Sequence, residues 1–225
     1  MGAKLLLFDI DGTLVRGFGS GGRALRRAAE ALLGPSVREH YVNFGGALDP
    51  WLFRQLAQCI GRELDDELHG ALRTHYAQLL IEELSLAAPA AIALPGVHSV
   101  LEQLRADRRV TLGLLTGNYA ETGALKLRGV GIEPDWFPVQ AWGDMAPTRP
   151  GLVPVALAQL ATAVPAAEVV VIGDTLRDVE CARENGCLCV AVATGGTSLA
   201  DLRAAGAHVV VEDLSDPGPL LELLA

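Results

Sequence analysis

A doubly wound α/β sheet of parallel strands, carrying a smaller all-helical cap domain inserted after its first strand, is the fold class that this chain predicts. Three observations carry the expectation. Short apolar runs alternate with amphipathic helical segments over most of the chain. The runs are apolar on both faces, as in parallel strands covered by helices above and below. Between residues 15 and 93 the alternation stops and only helical patterns remain.

The first strand is expected over residues 4–10, where Leu-Leu-Leu-Phe delivers Asp9 and Asp11 before a turn at Gly12. Positions two apart on a strand face the same way, so the two carboxylates should share one face at its carboxyl end. Two such anions repel unless one takes a proton or a cation lies between them. Sites that hold a metal, or that split nucleophile and acid/base roles, are built this way. A glycine-rich segment, Gly17-Phe-Gly-Ser-Gly-Gly, opens the insert, and Pro95-Gly96 closes it. Inside it, helical patterns cover residues 23–33, 50–60 and 65–86. The expected division is a core of residues 1–15 and 94–225 and a helical cap of residues 16–93 lying over the two aspartates as a lid.

Val97, Val100, Leu101 and Leu104 then form one helical face. The strand at 110–115 closes with Thr116-Gly117-Asn118, a hydroxyl and a small residue where backbone amides can approach an anion and the next helix adds its positive end. Thr148-Arg149-Pro150 puts a basic residue just before a helix expected at 152–163. The strand at 169–172 runs into Gly173-Asp174-Thr-Leu-Arg-Asp178, bringing two more carboxylates one helical turn apart. A helix at 176–184, a strand at 188–192 and a helix at 199–204 continue the pattern.

With 225 residues, half of them hydrophobic, the chain can bury a substantial core. A formal net charge of −9, with Lys4 and Lys126 the only lysines, argues against nonspecific binding to nucleic acid or to an anionic membrane. No apolar run reaches the ~20 residues of a membrane span, and the start of the chain does not look like a signal peptide. A cytoplasmic protein without nucleic-acid or membrane partners is expected; the pattern does not specify an oligomeric state. Cys59, Cys181, Cys187 and Cys189 lack metal-ligand spacing and read as reduced, buried core cysteines. The five histidines, His40, His69, His75, His98 and His208, are isolated and read as structural or surface residues.

Four carboxylates, a Thr-Gly-Asn turn and one cation thus converge on a single rim of the sheet. Oxygen ligands from Asp9, Asp11 and Asp174 suit Mg²⁺. In this order, Asp9-Ile-Asp11-Gly-Thr, Thr116, a basic residue before proline and Gly173-Asp174-x-x-x-Asp178 resemble the signature motifs of the haloacid dehalogenase superfamily. The helical insert is similar to the cap of its phosphoglycolate phosphatase-like branch. The resemblance implies a Mg²⁺-dependent phosphatase whose partner is a small phosphate ester such as phosphoglycolate. It implies that Asp9 attacks phosphorus and becomes an aspartyl phosphate, and that Asp11 serves as acid and base with its backbone carbonyl on the metal. Thr116 and Gly117, with Asn118 in the same turn, would hold the phosphoryl oxygens while Arg149 balances their charge. Asp174 would ligate the metal, and Asp178 would act through water or by orienting a neighbour.

The family usually has lysine where this chain has Arg149, a larger, forked cation. Lys126 is the alternative source of positive charge, although its own pattern reads as a solvated helix residue. A dehalogenase is disfavoured by the carboxyl at Asp11, and phosphonate hydrolysis by the absence of lysine from residues 15–93. A sugar-phosphate mutase is the enzymatic alternative. A receiver-like phosphoacceptor module is the non-enzymatic one, disfavoured by chain length and by the position of its aspartate. Arg23, Arg26, Asn43, Asp49 and Arg54 are the cap candidates for specificity, and a cap arginine would suit a carboxylated substrate. The glycines at 17, 19, 21 and 22 suggest a lid that opens and closes.

Overall fold

Leu5, Leu6, Leu7 and Phe8 are all fully buried, because the strand they form lies mid-sheet with helices on both faces. A computed structural model describes residues 4–86 and 91–224. In chain order its elements are β1 (Lys4–Phe8), β2 (Val15–Arg16), α1 (Ser20–Leu33), α2 (Asp49–Cys59), α3 (Asp66–Leu86), β3 (Ile92–Ala93), α4 (Val97–Ala106), β4 (Val110–Leu115) and α5 (Ala120–Arg128). They continue as β5 (Val139–Ala141), α6 (Leu152–Leu157), β6 (Val169–Gly173), α7 (Leu176–Glu184), β7 (Leu188–Val192), α8 (Leu199–Ala204), β8 (Val209–Val211) and α9 (Gly218–Glu222).

Six strands form one sheet in the order β5-β4-β1-β6-β7-β8, every pairing parallel. Alternation along β1 sends Leu6 and Phe8 to one face, where they join Val97, Val100 and Leu101 of α4. Leu5 and Leu7 go to the other, with Leu152 and Val153 of α6 and Val179 of α7. Each such side chain contributes roughly 1.5–3 kcal/mol on burial, so a charge at Leu7 would break the centre of the sheet. Because all strands point one way, the carboxyl ends of β1, β4, β6 and β7 share one rim, the place where α/β sheets bind ligands.

The helices after β1 have a core of their own. Leu25 and Ala28 of α1 meet Leu52, Phe53 and Leu56 of α2 and Leu72, Tyr76 and Leu80 of α3, and Tyr119 reaches into the same cluster from the sheet side. Residues 87–90 of the expected cap lie outside the described residues. Among the described residues no helix is long and apolar enough to cross a membrane.

Several expectations need correction. The first strand ends at Phe8, short of both aspartates. The stretch expected to hold no strand begins and ends in one, since Val15–Arg16 pairs antiparallel with Ile92–Ala93; a contact between residues so far apart leaves no local pattern. The strands β5 and β8 were not anticipated, being three residues each. The helix expected to reach residue 163 stops at Leu157, and Gln159 beyond it uses its side-chain amide on the backbone N–H and C=O of Gln140, closing the outer edge of β5. All four cysteines are unpaired, but Cys59 is exposed: burial along α2 ends at Ala57.

Candidate active site

Asp9 and Asp174 follow adjacent strands, β1 and β6, at the shared rim, and the N–H of Asp9 donates to the Ile172 carbonyl at 2.9 Å. Carboxylate oxygens of Asp9, Asp174 and Asp178 lie within 4.8 Å of one another, and all three residues are buried. Gly12 permits this crowding. Its φ of +80° turns the chain sharply, and a Cβ there would run into the Asp174 carboxylate. Thr13 donates its hydroxyl to Asp174 at 3.3 Å.

Asp178 is fully engaged. As the third residue of α7 it closes a capping box, accepting from the N–H of Thr175 at 3.0 Å and from its hydroxyl at 2.6 Å. Its other oxygen accepts from Nε and Nη2 of Arg149 at 3.0 and 2.5 Å. Arg149 Nη2 also lies 3.2 Å from Asp9. Burial opposes the charge on Arg149, but Asp178 and Asp9 outweigh it and hold the guanidinium above its ordinary pKa. Burial lifts Asp9 to about 6 against the pull of Arg149, with Asp178 and Asp11 adding to the rise. Burial also lifts Asp174 to about 8, reinforced by Asp178 and Asp9. Three buried carboxylates gathered this closely offer hard oxygen donors of the kind that fit a small divalent cation such as Mg²⁺.

Asp11 does not join this cluster. Both Asp9 and Asp11 border the same cavity, but the Asp11 carboxylate is engaged by Lys126 Nζ at 2.5 Å and Asn118 Nδ2 at 2.9 Å. Lys126 is not the solvated residue its pattern suggested. It is 4% exposed, and its ammonium is shared between Asp11 and the Asn118 side-chain oxygen, also at 2.5 Å. The face of α5 bearing Thr122 and Lys126 is turned into the protein by helical spacing. Thr116 is fully buried, and its hydroxyl accepts from Asn118 Nδ2 at 2.8 Å. Arg149 and Lys126 therefore sit in separate places at the rim, Arg149 on Asp9 and Asp178, Lys126 on Asp11.

The helical insert meets this rim through backbone groups. Arg149 Nη1 donates to the Gly46 carbonyl at 3.2 Å, Arg177 Nη1 donates to the Gly45 carbonyl at 2.9 Å, and the Asp49 N–H donates to the Gly117 carbonyl at 2.7 Å. Gly117 has no room for a side chain: a Cβ would run into the Ala47 carbonyl of the cap. The Asp49 carboxylate accepts from the N–H of Tyr119 at 3.1 Å and the hydroxyl of Thr122 at 3.4 Å. Burial raises Asp49 to about 7, although Lys126 pulls the other way. Between cap and rim lies a cavity of about 770 Å³ bordered by Asp9, Asp11, Thr116, Gly117, Arg149 and Asp174.

Of the five cap candidates, Asp49 alone borders that cavity. Arg23 bonds Glu83 and the Phe18 carbonyl, Arg26 the His40 carbonyl, and the Asn43 side chain accepts from Gly45 N–H; Arg54 is exposed. Two residues of the rim went unnoticed in the sequence, Thr194 and Gly195 after β7. Thr194 donates to the Gly12 carbonyl at 2.5 Å, and a Cβ on Gly195 would collide with Asp174. The signal was present, since Thr194-Gly195 stands one residue past the end of its strand, close to the way Thr116-Gly117 follows β4.

Residues 148–217 match the model of a HAD-hydrolase-like family. The chain is 33% identical to a phosphoglycolate phosphatase of Synechococcus elongatus over 172 residues, 75% of this chain and 68% of that one. It is 28% identical over 227 residues to a phosphoglycolate phosphatase of Vibrio parahaemolyticus, covering 99% of this chain and 96% of that one. Its fold superposes on a hydrolase from Pseudomonas syringae with a TM-score of 0.74 at 24% identity, covering 99% of each chain.

Proposed function

Since the chain belongs to the haloacid dehalogenase-like hydrolases and is a phosphatase, we propose that it hydrolyses a small organic phosphate monoester, phosphoglycolate or a similar compound, using Mg²⁺ and a covalent aspartyl phosphate on Asp9. The observation that carries this reading is the position of Asp9, a buried carboxylate just past the end of the central strand, in reach of Arg149 and facing the cavity that Thr116 and Gly117 border. The curated phosphoglycolate phosphatases similar to this chain support the choice of substrate.

Asp9 would hold a metal together with Asp174, while Asp178 fixes Arg149 beside them. Bound Mg²⁺ supplies the positive charge that lets an anionic nucleophile approach an anionic ester. An Asp9 oxygen forms the bond to phosphorus as the ester P–O bond breaks, and Asp11 gives the departing alkoxide its proton. Asp11 then takes a proton from water as that water attacks the aspartyl phosphate, freeing inorganic phosphate and restoring Asp9. Lys126 and Asn118 hold Asp11 in place through both stages. Thr116 and the Gly117 amide bind phosphoryl oxygens, and Arg149 balances the charge that develops there. The acidic balance and the unpaired cysteines support a cytoplasmic enzyme acting on a small molecule.

The test is phosphate release from a panel of small monoesters, with MgCl₂ and with EDTA, by the native enzyme and Asp9→Asn. Release that needs Mg²⁺ and disappears in Asp9→Asn is expected. Interconversion of glucose 1-phosphate and glucose 6-phosphate without phosphate release would point to the mutase alternative instead.

A further inference from the structure

The first cap helix presents a bare amino end to the catalytic cavity. α1 begins after Gly19, which offers no side chain to cap it, and the amides of Gly21 and Gly22 meet no acceptor among the described residues. A helix of 14 residues therefore ends there with free N–H groups and partial positive charge. A second, independent observation points to a ligand. The Ser20 hydroxyl is fully buried and has no hydrogen-bond partner among the described residues, whereas buried polar atoms are nearly always paired. Ser20, Gly21 and Gly22 all border the cavity that Asp9 and Asp11 border.

The core supplies the facing charge. Lys126 Nζ spends two of its three N–H donors on Asp11 and Asn118, and a Cβ on Gly21 would stand 3.0 Å from that nitrogen. The ammonium, whose third donor meets no acceptor among the described residues, thus lies against the open end of α1. Free amides, an unpartnered hydroxyl and a cation gathered in one wall select an anion. Because Lys126 also grips Asp11, the group expected to protonate the leaving oxygen, this wall stands on the leaving-group side.

We propose that the amino end of α1, through Ser20 and the Gly21 and Gly22 amides facing Lys126, binds a second anionic group on the substrate. The preferred substrates are then phosphate monoesters whose leaving alcohol carries a carboxylate or a further phosphate. The inference rests on the phosphatase reading for the identity of the first group, but the subsite can be tested without turnover.

Binding of three probes, 2-phosphoglycolate, ethane-1,2-diyl bisphosphate and ethyl phosphate, is measured by calorimetry on Asp9→Asn protein with Mg²⁺. At least one doubly anionic probe should bind about tenfold or more tightly than ethyl phosphate, and the tighter of the two identifies the anion. Ser20→Ala, which removes only the hydroxyl, should narrow that margin several-fold. So should Gly22→Pro, which deletes an amide in a first turn where proline is tolerated. Equal binding of all three probes, or a margin that neither variant narrows, overturns the subsite. Turnover by the native enzyme is scored separately. Phosphate release from all three esters without preference sinks the subsite and keeps the phosphatase; a surviving margin with no release from any ester does the reverse.

Discussion

Arg149 and Gly46 are joined across the two halves of the molecule: Nη1 of the arginine donates to the glycine carbonyl at 3.2 Å while Nε and Nη2 hold Asp178 and Nη2 reaches Asp9. A lysine ammonium, a single point on a flexible stem, cannot span partners on three sides. The forked side chain therefore has work here that the family's usual lysine would not do.

Arg149→Lys should lower kcat/KM about tenfold or more through the loss of directed hydrogen bonds to charged groups, with a smaller effect on stability. Arg149→Met should instead destabilise the fold by about 3–5 kcal/mol, because Asp178 is left buried and unpaired. Steady-state kinetics and thermal melts separate the two effects. A lysine variant with native kinetics would remove Arg149 from the site.

The metal-free enzyme should lose stability as pH rises. Asp9 and Asp174 hold protons in the fold, at pKa values of about 6 and 8, that the unfolded chain releases near 3.8. Between about pH 4 and 8 the folded state therefore binds more protons than the unfolded state, and stability falls across that window. Magnesium must displace the same protons, so its affinity should climb over the same range. Melts in EDTA and Mg²⁺ titrations at stepped pH check both slopes; flat profiles would remove these carboxyls from the metal site.

Gly12→Ala should weaken activation by Mg²⁺. At φ +80° an alanine is strained, by roughly 1–2 kcal/mol, and its Cβ displaces the Asp174 carboxylate. The apparent activation constant for Mg²⁺ should rise several-fold in the variant while its circular dichroism stays native.

Asp49→Ala should loosen the cap. Two donors, Tyr119 N–H and the Thr122 hydroxyl, lose a buried acceptor, a loss of about 1–3 kcal/mol. A lower melting temperature, a raised KM and faster proteolysis within residues 17–22 are expected together. Loss of stability without faster cleavage would confine Asp49 to a packing role.

The carboxylate rim is legible in the amino-acid sequence because its parts are local signals: an apolar run that ends in acid, twice, and a hydroxyl followed by glycine. What escapes is set by contacts between distant segments. Nothing near Lys126 reveals that it is buried against Asp11, 115 residues away. The engagement of Asp11 by Lys126 and Asn118, while Asp9 meets Arg149, likewise depends on residues far away in the chain. The cap arginines look suited to substrate on composition alone, yet Arg23 and Arg27 are paired with Glu83 and Arg26 with a backbone carbonyl. Short strands such as β5 and β8 exist only because a neighbouring strand is there to pair with.

The pairing of Val15–Arg16 with Ile92–Ala93 carries a mechanical corollary. The chain leaves the sheet and returns to it side by side, through one narrow ribbon, so a movement of the helices relative to the sheet would pivot there. Any outward swing would have to break the contacts at Gly45, Gly46 and Gly117 and the ion pairs of Arg73 with Glu121 and Asp144 together.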